Sequence, residues 1–243
     1  MARVRPPKLL LIALAGAVLL ILVIWAAARL RSKPDNVARP KRPLAGFAFF
    51  EIGEQTVFTE KIREKLRDHL GSDAIERSIP LDLTFGYPRF LARHFPELHR
   101  LHQGLNDPSG ARVEHDVFQL TYRYPDPKKA PFDYVRLVFS NVTQNPLLVR
   151  ITSKREGGVI VDTLKAKYGE PMMIPKEGDL PGGIYWGVDG NVLISRDIPD
   201  RSGRLETQIT IYFVANLQAL YNQEERARKA RETKRESAVE GAF

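Results

Sequence analysis

Residues 9–28, LLLIALAGAVLLILVIWAAA, run for twenty positions without a charge. Wound as a helix at ~1.5 Å per residue, they span ~30 Å, the thickness of a bilayer's hydrocarbon core. Such a segment has no place in the core of a small water-soluble domain. It divides the chain into a short basic tail (1–8), a transmembrane anchor (9–28) and everything that follows. Trp25 lies near one end of the run, where an indole suits the membrane–water interface. With it we assign Arg3, Arg5, Lys8, Arg29, Arg31 and Lys33 to the membrane interface.

A cleaved export signal is the rival reading, with Ala26-Ala27-Ala28 as the small-residue site. Export signals have apolar regions of ~7–15 residues, shorter than this one. Arg29, Arg31 and Lys33 directly after the run also hinder export of a new amino terminus. The segment therefore reads as an uncleaved signal-anchor. By the positive-inside rule, six basic residues after the run favour a cytoplasmic body. The basic start of the chain and the absence of Cys favour the opposite, a body outside the cytoplasm. We expect the second: a single-pass inner-membrane protein with its main domain periplasmic or otherwise extracytoplasmic, and the lipid bilayer as a partner.

Charge supports the division. The net charge is +8. Residues 1–45 hold nine Lys or Arg and a single acid, Asp35, which accounts for the whole excess. The remaining 198 residues balance 28 basic against 28 acidic side chains. The basic character belongs to the flanks of the apolar run, so no nucleic-acid footprint is expected. Residues 29–45, RLRSKPDNVARPKRPLA, form a Pro-rich basic linker.

From residue 46 the pattern is that of a folded α+β domain, mainly antiparallel. Residues 46–86 read as a strand–helix–strand lead-in: FAFFEIG (47–53), a helix over 58–71 with Thr59 as cap and Gly71 as stop, and an alternating strand over 78–86. A helix over 87–104 follows, interrupted near Pro96. Strands are expected at 116–124, 133–141 and 146–154, a helix at 157–169, a hairpin of 182–188 with 191–197 across Asp189-Gly190, and a strand at 206–214. Residues 215–243 form a charged helix or tail.

The order suggests two α-β-β-β units, 87–154 and 155–214. FLARHFPEL (90–98) and TLKAKYGEP (163–171) both place a Leu four residues before an aromatic, then a helix breaker and a Glu. The second stretch ends a helix: Leu164 and Tyr168 face a sheet, Gly169 takes the left-handed position and Pro171 blocks continuation.

Chemistry-bearing motifs are scarce. The chain lacks a nucleophile elbow, a phosphate-binding loop, a dinucleotide fingerprint and a zinc-helix motif. No catalytic residue or cofactor is assigned. His99 and His102, three apart on one helix, are candidate metal ligands, short of a full set unless Glu97 or His115 joins them. The expected function is a membrane-anchored, non-enzymatic envelope protein that binds a protein partner or ligand. The alternative is a membrane-anchored hydrolase or metalloenzyme that uses the region His94–His102.

Overall fold

The computed structural model describes residues 46–123, 130–154, 156–178, 182–200 and 202–240. The apolar run, its basic flanks and the linker lie outside the described residues. Among the described residues, no helix is long and apolar enough to cross a membrane.

The chain opens with a small hairpin of β1 (Ala48–Phe49) and β2 (Ile52–Gly53). Then come α1 (Glu60–Leu70), β3 (Asp73–Arg77), α2 (Pro88–His94), α3 (Pro96–Leu105), β4 (Val117–Arg123), β5 (Tyr134–Ser140) and β6 (Pro146–Ser153). They are followed by α4 (Gly157–Tyr168), β7 (Met172–Ile174), β8 (Gly183–Val188), β9 (Asn191–Pro199), β10 (Leu205–Tyr212) and α5 (Val214–Glu240). Strands β3 to β10 make one eight-stranded sheet, antiparallel at every pair, in the order β3-β4-β5-β6-β10-β9-β8-β7. The α+β class with a large antiparallel sheet is therefore the observed one.

Local chemistry explains most boundaries. The Thr59 hydroxyl accepts from the Ile62 N–H and starts α1. Pro88 and Pro96 each sit in a helix's first turn, where a missing N–H costs nothing. The proline expected to interrupt one helix thus begins a second. Asp189 and Gly190, both at positive φ (50° and 80°), close the β8–β9 hairpin.

Side chains alternate along the strands, so the sheet has two apolar faces. One is covered by the β1–β2 hairpin, α1 and α4; its core includes Phe47, Leu66, Leu70, Tyr122, Trp186 and Ile209. The other is covered by α2, α3 and the start of α5, with Leu83, Phe90, Leu101, Leu148, Tyr212 and Leu217. Neighbours Tyr185 and Trp186 go to opposite faces.

Two expectations need correction. Residues 78–86 are not a strand; the sheet's edge strand β3 ends at Arg77. Pro80 has no N–H to give a ladder, the Asp82 carboxylate takes the Thr84 N–H and hydroxyl, and Phe85 stands at φ 49°. Leu81 and Leu83 are buried because they plug the space under α3, not because they belong to the sheet. The second correction concerns the units 87–154 and 155–214. The helices matched in sequence lie on opposite faces, α2–α3 on one and α4 on the other, so they are not equivalent.

Candidate functional site

Three strands each carry one arginine: Arg136 in β5 and Arg150 in β6, both between apolar residues, and Arg196 in β9, between Ser195 and Asp197. Strand register brings them together. Arg136 and Arg150 are direct cross-strand partners, and Arg150 lies opposite Thr210. In the next row Tyr134 pairs with Thr152, Thr152 with Gln208, and Gln208 with Arg196. All project to the face that α2 and α3 partly cover. Where those helices stop, the face opens into a cleft of about 380 Å³ lined by Arg123, Asp133, Tyr134, Arg136, Arg150, Thr152, Lys154 and Glu206.

Each guanidinium lies against an aromatic ring. Arg150 is 4.1 Å from the centroid of Phe85, and Arg196 is 4.7 Å from Tyr87 and 4.4 Å from Phe90. Arg136 lies 5.8 Å from the Tyr134 ring and donates from Nε to its hydroxyl at 3.1 Å. Stacking on rings fixes the plane of a guanidinium and partly offsets its burial. Phe85 is held in the left-handed region to do this, a costly position for a bulky residue.

Charge compensation is incomplete. Among the described residues, no carboxylate comes within ion-pair distance of Arg136, Arg150 or Arg196. Gln208 stands between Arg150 and Arg196 with one carbonyl to offer. Arg196 donates to it at 3.5 Å; turning the amide over gives the oxygen to Arg150 Nε at 3.1 Å instead. In either orientation one guanidinium faces an amide NH2. Arg196 NH1 is buried with no partner. Burial, and then the neighbouring Arg136 charge, push the Arg150 pKa down to about 10. Burial lowers that of Arg196 as well.

Of the two histidines expected as metal ligands, His102 is engaged within the fold. His102 Nδ1 accepts from the Leu83 N–H at 3.4 Å and lies 3.1 Å from the Asn106 amide nitrogen. Burial lowers its pKa. His99 Nδ1 is buried without a partner. His94 packs on Phe90, and His115 lies under α5 against the Glu224 carboxylate at 2.9 Å. Among the described residues no three His, Cys, Asp or Glu side chains are grouped so as to hold a metal ion. The membrane-interface residues Arg3, Arg5, Lys8, Trp25, Arg29, Arg31 and Lys33 lie outside the described residues.

The arginine face was missed in the sequence, although a signal was present. DYVRLVFSN, PLLVRITSK and NVLISRD are strand-like stretches that each contain one Arg. What the sequence does not supply is the register that sets two of them side by side.

Comparison with protein-family models, curated proteins and solved structures finds no match to this chain.

Proposed function

We propose that this chain is a single-pass, membrane-anchored envelope protein whose extracytoplasmic α+β domain works by binding, not by catalysis. Its anchor is the apolar run 9–28, steadied at the interface by Trp25 and the flanking basic residues. The Pro-rich linker 29–45 joins this segment to the domain. The observation that carries the binding role is the cleft on the sheet. Arg136 and Arg150 stand directly opposite each other there, an arrangement that costs stability when nothing fills it. Groups that cost the fold something are expected where function requires them.

Two experiments test this. A periplasm-dependent phosphatase fused after the last residue should be active in cells, and a fluorescent protein that matures only in the cytoplasm should stay dark. The reverse pattern makes the domain cytoplasmic. A photo-crosslinking amino acid at Glu206, inside the cleft, should give adducts in whole cells, and one at Asp162, on the outer surface of α4, should not. Equal labelling at both positions removes the cleft as the binding face.

We also propose that the domain is a duplication of a helix followed by four strands, α1 with β3–β6 and α4 with β7–β10. The pair α2–α3 would be an insertion in the first copy.

A further inference from the structure

We infer that Arg136 and Arg150 form a receptor for one oxyanion, a carboxylate or a phosphate group, carried by a ligand that lies in the cleft. The inference rests on the reading of this face as the binding face and names the chemistry it takes. Two guanidiniums on adjacent strands repel each other, and an oxyanion between them turns that repulsion into two charge-assisted hydrogen-bonded contacts. Their planes are already set, by Phe85 for Arg150 and by Tyr134 for Arg136, so little freedom is lost on binding. The oxyanion also supplies the acceptor that Gln208 cannot give to both Arg150 and Arg196. The Tyr134 and Thr152 hydroxyls line the same wall, and Arg123 and Lys154 stand at the rim.

The cleft also limits what the rest of the ligand is. Asp133 and Glu206 line it too, and Asp133 accepts from the Lys154 N–H at 2.7 Å. A polyanion laid along the cleft would meet both carboxylates. A ligand with one oxyanion and a neutral or cationic remainder meets neither penalty, and the carboxylates can receive its donors. A nucleic-acid strand is therefore disfavoured, and a small acid or an acidic terminus is favoured.

The test uses the full chain in a nonionic detergent. Sodium phosphate, sodium acetate and sodium chloride are compared at matched ionic strength by thermal unfolding and titration calorimetry. Phosphate or acetate should raise the melting temperature by at least about 2 °C over chloride. Whichever does so identifies the group. The informative variant is Arg136→Gln, because Arg136 is half-exposed and its loss relieves the like-charge pair. Without ligand it should melt at or above the temperature of the unaltered protein. It should also weaken anion binding about 10-fold or more, the effect of removing one charged hydrogen-bonded partner. Arg112→Gln, which removes an exposed loop arginine paired with Glu114, should leave binding unchanged. Two results overturn the proposal: no shift with either anion, or an Arg136→Gln protein that melts lower and keeps the full shift, which marks the arginine as structural. Crosslinking at Glu206 without any anion shift rejects the oxyanion and leaves the binding face standing. Neither adduct nor shift rejects both.

Discussion

Gly157 and Gly158 sit side by side at the start of α4 and have opposite tolerances. A methyl group at Gly157 would lie 1.9 Å from the Thr207 hydroxyl oxygen on β10, so the glycine allows the helix to touch the sheet. At Gly158 the same methyl group meets nothing within 4 Å. Gly157→Ala should therefore destabilise the protein by about 1–3 kcal/mol through overpacking. Gly158→Ala should stabilise it by roughly 0.5 kcal/mol through helix propensity and a restricted unfolded chain. Urea unfolding of the two variants checks both signs. In the sequence the two glycines are simply adjacent residues at the start of the helix expected over 157–169. The sequence cannot tell them apart, because the distinction depends on how close α4 lies to β10. Arg136, Arg150 and Arg196 have the same limitation: residue type was legible, neighbours were not. The charge count even pointed elsewhere, since the body of the chain is neutral overall and its positive face arises only from strand pairing.

At the scale of elements, what was legible followed from short-range chemistry. Thr59 and Gly71 bound α1, Pro96 divides α2 from α3, and Asp189-Gly190 turns β8 into β9, each at the place the pattern indicates. What failed was the assignment of 78–86, where alternating Ile79, Leu81, Leu83 and Phe85 mimic a strand. Alternation reports which side chains are buried, and an anchored loop satisfies it as well as a sheet does. The true edge strand, Asp73–Arg77, has mostly exposed side chains and so no apolar signature. It pairs with β4 through the backbone, and its link to α1 is electrostatic. The Asp73 carboxylate, shielded from solvent, accepts from Arg63 Nε at 2.9 Å and from Arg67 Nε, both on α1. Burial alone would raise the Asp73 pKa, but the hydrogen bonds and charges of Arg67 and Arg63 outweigh it, and the net shift is downward. A carboxyl with a depressed folded pKa contributes stability that is complete above its ordinary value near 3.8 and is lost as the pH falls through the folded value. Asp73→Asn should cost about 1–3 kcal/mol at pH 7. The gap between variant and unaltered protein should hold constant down to about pH 4 and close only below it. Stability measured by urea unfolding from pH 7 to pH 2.5 tests the sign; a gap that widens in acid would contradict it. For α5, burial ends early. Leu217 and Leu220 are buried, Glu224 meets His115, and every described residue from Arg226 onward is exposed. Stopping the chain after Arg226 should reduce the helical circular-dichroism signal and leave the melting temperature unchanged within about 1 °C.

At the scale of the whole molecule, the sheet order reads the same from either edge if β3–β6 are matched with β7–β10. Each set follows a helix on the same face, and both helices end on a glycine near φ +85° whose N–H donates to the carbonyl four residues back at 2.8 Å: Gly71 to Arg67 and Gly169 to Lys165. The sets meet at β6 and β10, where Val149 faces Ile211 and Ile151 faces Ile209. The sequence suggested a repeat, but the helices it matched lie on opposite faces, because a Leu and an aromatic four residues apart mark any amphipathic turn over a sheet. On the proposed duplication, the α2–α3 pair is the insertion that offsets the two copies in sequence, and the strand order is what supports it. Such a seam has a mechanical consequence. Neither half closes its own apolar face, since Ile209 and Ile211 share one core with Val149, Ile151, Leu66 and Leu70. The two halves should therefore unfold together. Ile209→Ala, at a side chain 1% exposed, should cost about 2–5 kcal/mol. With Trp25→Phe as background, Trp186 remains the single indole and reports on the second half, while circular dichroism reports on the whole. In both the background protein and the Ile209→Ala variant, the two signals should trace one superimposable transition in urea, shifted to lower denaturant by the substitution. A Trp186 transition that separates from the backbone signal would mean that the halves are autonomous and that the β6–β10 seam is only a contact between them.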